Sequence, residues 1–343
     1  MPSSLGGVQL IIVILVLTPF AILAIGLRLW SRHINHSPLA FNDHMAILAL
    51  LLTIAENIFS LIDAFVGVSG VHVSEIIATD PSLLQTYLKL ATPGIILWAA
   101  ANTCVKLSIL SLYTTLFPSR KFHHVCHGTM VISVAFAIVV FLEAFLLCTP
   151  VQFNWDKSIP GGVCNQSVAF LSSGIINLVI DAFIVILPIP ILFKLQMPSA
   201  KKLGVAVMFS LGAVICIISL FRIIALSNWD LDDVTFGSAE ISIYSSVEPT
   251  LGVVNACLPT IKPALYKLWG KGSYGVSKSH FKDSRKASLD KYDQNPMGMG
   301  IHEGRFHHHD DQIPLTTIRA ENGVSGGNER DAITVTRAWE VHS

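Results

Sequence analysis

Glu56, Lys106, Asp181 and Glu248 each stand near the middle of a long apolar run, a placement that is rare because an unpaired charge there is costly. Ionisable groups kept in such positions mark an ion or substrate pathway, a binding pocket, or an ion pair that fixes the register of two helices. Their neighbours recur at helical spacing. Thr53, Glu56, Asn57, Ser60 and Asp63 follow three- and four-residue steps, which puts all five on one helical face. Asn102, Lys106 and Tyr113 share a stripe, Asn177 and Asp181 are one turn apart, and Tyr244, Glu248 and Asn255 repeat the pattern. Glu143 and Arg222 lie nearer the ends of their runs.

Depth decides which of these groups meet. At about 1.5 Å per helical residue, Glu56, Lys106, Asp181 and Glu248 fall at mid-depth, whereas Asp63, Glu143 and Arg222 fall in one outer third. Lys106 then has Asp181 or Glu248 as partner, either as a register lock or as part of a polar pocket whose ion pairs rearrange on binding. The outer groups form a vestibule where an arriving ligand first meets charge, although Arg222 also has the length to snorkel to the interface.

The elements that must carry these faces are membrane helices. Of the 343 residues 52% are hydrophobic and only 13% are charged, and mean hydropathy is +0.60. A soluble domain carries about 25% charged residues, so this chain lacks the polar surface to cover its apolar content in water. With 23 basic and 23 acidic residues no global field attracts nucleic acid, which is excluded as a partner. Runs long enough to cross the hydrocarbon core occupy residues 8–29, 44–68, 90–116, 128–148, 168–193, 203–226 and 237–261. The fold class is therefore an all-α membrane protein, a seven-helix bundle over residues 8–269 in the lipid bilayer. The last run is polar enough that other helices must line it. Prolines 93, 188, 190, 249 and 259 are expected to kink or end their helices.

Connections rich in Lys and Arg alternate with acidic ones. Arg32, Arg120, Lys121, Lys194, Lys201, Lys202 and the residues after Lys262 define one side, which is predicted to be cytoplasmic, with the amino terminus outside. On the opposite side Cys148 and Cys164 bracket a short loop, where they are either free thiols or a disulfide worth roughly 3 kcal/mol in the chain-entropy picture. Asn165-Gln166-Ser167 is a glycosylation sequon on that side. Residues 259–269 read as a short amphipathic helix lying flat at the interface. Residues 270–343 lack hydrophobic periodicity and read as a disordered cytoplasmic tail, whose histidine run is assigned no metal.

Several of these residues together resemble the fungal rhodopsin-domain family of integral membrane proteins, including the satratoxin-cluster type. They are Arg28, Arg32 and Asp43, the run Lys106 to Tyr113, Cys148-Thr149-Pro150 with Trp155 and Cys164, Asp181 before Pro188-Ile189-Pro190, Arg222, and Glu248 leading into Cys257-Leu258-Pro259. The likeness spans roughly residues 26–267, and the family's paired acids after the first inner loop appear here as Asp43-His44. It implies a seven-helix membrane protein, an association with secondary-metabolite clusters, and receptor-like behaviour with a heterotrimeric G protein as partner. It does not imply retinal, because residues 237–261 contain no lysine for a Schiff base. No cofactor is expected.

The reading is a receptor-like protein in the plasma membrane with no catalytic activity, since spacing assembles no nucleophile, base and orienting group. It senses an unknown extracellular ligand and couples through Arg120, Lys121, Lys194, Lys201 and Lys202. The alternative is a proton- or cation-linked transporter or channel using Glu56, Asp181 and Glu248.

Overall fold

The computed structural model describes residues 5–269, apart from 35, 67–68, 118, 157–158, 165, 191–198 and 230–232. The chain forms two units, Met1–Ser273 and Tyr274–Ser343. The predicted disordered tail, the Asn165 sequon and Lys194 lie outside the described residues.

Among the described residues eight helices follow one another: α1 Leu5–Ile34, α2 Phe41–Val66, α3 Val73–Thr79, α4 Pro81–Leu116, α5 Arg120–Leu146, α6 Gln166–Ile186, α7 Ser199–Ser227 and α8 Val234–Trp269. Six of them, all but α3 and α8, hold stretches long and apolar enough to cross a membrane. The outside of the bundle is apolar: Leu15, Phe20, Leu51, Phe65, Val131 and Val179 are each at least half exposed, the inverse of a water-soluble surface and the arrangement lipid requires. This is an all-α, multi-pass membrane protein. α4 is its central helix, with 61% of its most apolar window buried against 28% for α1.

Local chemistry explains the helix ends. Asp80 caps α4 by accepting from Ser82 N at 3.0 Å, and Pro81 follows at the first helical position, so α4 starts nine residues before the predicted apolar run. Asp43 in the first turn of α2 reaches back to the Ala40 amide at 2.9 Å, half of a capping box. α6 ends just before Pro188, which cannot continue the ladder. Other prolines do not end their helices: Pro93 lies inside α4, and α8 runs through Pro249 and Pro259 to Trp269. The flat interfacial helix expected over residues 259–269 is instead the continuation of α8.

α8 runs alongside α1 in the same direction. A Cβ on Gly6 would sit 2.9 Å from that of Ala239 at one end, Ile243 packs on the Leu10 and Ile14 cluster, Arg28 reaches Ala256 O at 2.6 Å, and Ser31 Oγ donates to Thr260 O at 2.7 Å at the other end. α8 also packs on α2, α4 and α7, which accounts for its polar sequence: its neighbours are protein. Two further glycines permit close contact between helices. A Cβ on Gly252 would stand 2.9 Å from Val105 Cγ1 of α4, and one on Gly212 of α7 would stand 2.8 Å from Val185 Cγ2.

At one end of the bundle Cys148 and Cys164 are joined by a disulfide and sit opposite each other in a two-residue antiparallel pair, β1 Cys148–Thr149 with β2 Val163–Cys164. The same end carries α3. Its amino terminus is capped from the start of α8, where Asp233 accepts from Val73 N at 2.8 Å and pairs with the His72 ring, which stacks on Phe236. Gly70 N donates to Thr235 O at 2.8 Å and Thr235 Oγ1 to Val71 O at 2.6 Å. The opposite end holds the ion pairs of Arg28 and Arg32 with Asp43 and a packed cluster of Tyr113, Phe117 and Phe122.

Candidate functional site: a buried ion-pair network beneath a cavity

Five of the residues expected to face inward form one connected network. Lys106 Nζ of α4 lies 3.1 Å from Asp181 Oδ1 and donates to Asn177 Oδ1 at 2.5 Å, both on α6. Asn177 Nδ2 donates onward to Asp181 Oδ2 at 3.1 Å and to Glu248 Oε1 of α8 at 2.6 Å. Glu248 Oε2 then accepts from Arg222 Nη1 of α7 at 3.0 Å. The one-turn spacing of Asn177 and Asp181 is what allows both to converge on Lys106. Lys106 thus pairs with Asp181, and Asn177 relays it to Glu248. Glu248 is fully buried, so its charge depends on these partners.

Arg222 turns inward instead of snorkelling to the interface. It is 6% exposed, and its guanidinium carbon lies 3.7 Å from the centroid of the Trp98 ring, a cation–π contact strengthened by desolvation. Trp98 was not singled out from the sequence, because an apolar helix offers no pattern that separates a lid over a cation from an ordinary core aromatic. Ser173, which donates to Glu143 Oε2, was missed for a related reason: a lone serine in a helix carries no periodic signal.

Above Arg222, toward the disulfide end, lies a cavity of 160 Å³. Glu56, Asp63, Glu143 and Arg222 contribute its charged walls, and Phe59, Tyr87, Trp98, Phe170 and Trp229 its aromatic ones. The vestibule expected from Asp63, Glu143 and Arg222 is therefore one space, and Glu56 belongs to it as well. Glu56 Oε1 accepts from Ser246 at 3.3 Å and from Ser60 at 3.5 Å. A second space of 370 Å³ shares Tyr87, Ala91, Ile95, Glu143, Phe170 and Trp229 with the first and extends to Asn154 and Cys164. On the other side of the network a void of 30 Å³ is lined by Asn102, Lys106, Asp181, Glu248 and Asn255. The buried amides of Asn102 and Asn255 face it, with Asn102 Nδ2 and Asn255 Oδ1 making no hydrogen bond among the described residues.

Arg120 and Lys121 are exposed at the start of α5, at the end opposite the disulfide; Lys201 and Lys202 fall in the first turn of α7, with side chains outside the described residues. Among the described residues no group of three or more His, Cys, Asp or Glu is placed to hold a metal.

A helical bundle with an apolar exterior and a buried ion-pair network between its helices is an integral membrane protein. The Fungal rhodopsin domain matches residues 27–267, and the chain belongs to that family. It is 27% identical over 274 residues to polyenoic acids biosynthesis gene cluster protein Ba17b of Metarhizium anisopliae, an alignment covering 76% of this chain and 75% of the relative. It is 29% identical over 215 residues to a SAT4 family membrane protein of Emericella nidulans, covering 62% and 54%. Receptor GIN3 of Arthrobotrys oligospora is 25% identical over 249 residues, covering 72% of this chain and 60% of the receptor. No solved structure matches.

Proposed function

We propose that the protein is a seven-span receptor of the plasma membrane that takes an extracellular ligand into the cavity above Arg222 and Glu248 and carries no catalytic activity. The observation that carries this reading is the connection between cavity and core. Arg222 and Glu56 line the cavity wall, and Arg222 is tied through Glu248 and Asn177 to Lys106 and Asp181. A ligand that displaces or recruits Arg222 changes the pairing of α4, α6, α7 and α8 together, the kind of two-packing element a switch needs.

Seven crossings are supported by the course of α8. Its contacts with α1 extend from Gly6 to Ser31, about 38 Å at 1.5 Å per residue, so wherever α1 spans, α8 spans in the same direction. The disulfide end is taken as extracellular, and the end bearing Arg32, Arg120 and Lys121 as cytoplasmic. The exposed bases Arg120 and Lys121 are the described part of the surface offered to a heterotrimeric G protein, to which the sequence adds Lys194, Lys201 and Lys202. The relative named as a receptor is consistent with this assignment, while the relatives named from biosynthesis clusters leave the ligand open.

The test is guanine nucleotide exchange on a G protein in membranes containing the full chain, challenged with fractionated culture extracts. Exchange that a fraction stimulates and that Glu248→Gln removes supports the receptor reading. The rival reading, a proton- or cation-linked transporter, draws on the 30 Å³ void beyond the network, which continues the polar path. Proton flux into sealed vesicles that Asp181→Asn abolishes, with no stimulated exchange, would replace one reading with the other.

A further inference from the structure

We infer that the cavity at the disulfide end selects a cationic amphiphile, a protonated amine on an aromatic or similarly apolar body, with the ammonium seated against Asp63 or, deeper, Glu56. This names a ligand class for the site of the proposed receptor, and so rests on that reading for its biological meaning, though not for its chemistry.

Four observations lead to the same ligand. First, the charged wall is unbalanced. Glu56, Asp63 and Glu143 face the space and Arg222 alone opposes them, yet Arg222 already binds Glu248 and lies on Trp98. Second, the acids hold unused acceptors. Glu56 is 3% exposed, its Oε1 takes only weak hydroxyl donors, and its buried Oε2 makes no hydrogen bond among the described residues; the same is true of the buried Asp63 Oδ1. A carboxylate with a free buried lone pair facing a cavity is an acceptor for N–H donors arriving from outside, and charge-assisted bonds of this kind are the strong ones. Third, Phe59, Tyr87, Phe170 and Trp229 give the wall aromatic faces and edges to pack an apolar body and favour a cation. Fourth, the sequence segments that connect the helices at this end, residues 67–89, 147–165 and 228–233, carry Glu75, Asp80, Asp156, Asp230, Asp232 and Asp233 against Lys89, Lys157 and His72, an acidic excess that concentrates cations at the mouth and repels anions.

Glu56 and Asp63 are two turns apart on α2, about 10 Å along the axis, so one ammonium contacts one of them at a time and Asp63, nearer the mouth, meets it first. Glu143 is engaged by Ser173 and is assigned to the wall. A metal ion would need several ligands converging on one point, and no such group exists among the described residues.

The experiment uses the full chain in nanodiscs and measures equilibrium binding of three probes of like size: phenethylamine, hydrocinnamamide and hydrocinnamate, which are cationic, neutral and anionic at pH 7. The amine is expected to bind at least tenfold tighter than the amide, the worth of one charge-assisted hydrogen bond, and the acid weakest. Glu56→Gln and Asp63→Asn, each checked for unchanged melting, are expected to reduce that ratio several-fold, and Glu240→Gln, on the exposed face of α8, to leave it unchanged. Equal binding of the three probes, preference for the acid, or an amine preference that survives both substitutions overturns the inference. The binding readout needs no G protein. Amine binding without nucleotide exchange therefore counts against the receptor reading alone, and exchange driven by an anionic fraction counts against the cation site alone.

Discussion

The two ends of the bundle bury charge in opposite ways. At the end bearing Arg28, Asp43 is fully buried and meets two guanidinium groups, Arg28 Nε at 2.8 Å and Arg32 Nε at 3.0 Å, and takes the Ala40 amide as well. Arg28 spends a further donor on Ala256 O, so α1, α2 and α8 are tied at one point. Toward the disulfide end Glu56 and Asp63 form no salt bridge among the described residues, and the space beside them is not filled by side chains. Matched charge with tight packing is a lock, and unmatched charge beside a cavity is a site. The middle network lies between these extremes: Lys106, Asp181, Glu248 and Arg222 are paired, but through an amide and beneath the cavity.

The lock should be the most sensitive to substitution. Arg28→Ala leaves the Asp43 carboxylate with Arg32 alone, whose side chain is 25% exposed, and is expected to cost about 3–5 kcal/mol, the usual loss when one member of a buried pair is removed. Denaturant unfolding in micelles measures it, and a loss below about 1 kcal/mol would show that the triad does not hold the helices. Cys148→Ser opens the loop closed at a sequence separation of 16 and is expected to remove about 3 kcal/mol; reductant should then lower the melting temperature of the wild type and leave the variant unaffected.

Smaller effects sharpen the contrast. Gly252→Ala forces a methyl to within 2.9 Å of Val105 Cγ1 and is expected to cost about 1–3 kcal/mol by pushing α8 off α4, again read from unfolding. Glu56→Gln keeps the shape and both weak hydroxyl contacts, so it should change stability by about 1 kcal/mol or less. A loss as large as that of Arg28→Ala would place Glu56 in the lock and not in the site.

The smallest effect concerns the latch between α3 and α8. Desolvation opposes it, but the Val73 amide and the His72 ring hold the Asp233 carboxyl below its ordinary value. A depressed carboxyl contributes stability above its unfolded value and loses it as pH falls through the folded one. The protection of the Gly70 and Val73 amides against hydrogen exchange, relative to their intrinsic rates at each pH, should therefore fall only when pH drops below the ordinary carboxylate range. Asp233→Asn should abolish that acid-side loss of protection.

Much of this was legible in the sequence because membrane helices are constrained by length and apolarity, and because intramembrane charge stands out against them. The stripes Asn102–Lys106 and Asn177–Asp181 and the mid-depth position of Glu248 placed those side chains close enough to meet. What the sequence did not disclose is partner choice. Lys106 had two carboxylates within reach, and packing selected Asp181 directly and Glu248 through Asn177. Arg222 looked able to snorkel because one-dimensional depth says nothing about which way a long side chain turns; Trp98 and Glu248 turn it inward. The latch pairs residues 72 and 233, a long-range contact with no local signal. The run of α8 through Pro259 ran against a local rule, and close packing on α1 overrides it.

Glu248 and the cavity wall at Ser238, Ile241 and Ser245 lie on α8, so cavity and network both require α8 to cross the membrane. Tags at the two termini, probed with protease and antibody in intact and permeabilised cells, test this directly. An amino-terminal tag accessible from outside with a carboxyl-terminal tag protected until permeabilisation is the predicted result. Both tags on the same side would mean an even number of crossings, and would contradict the bundle, the cavity and the cytoplasmic coupling surface together.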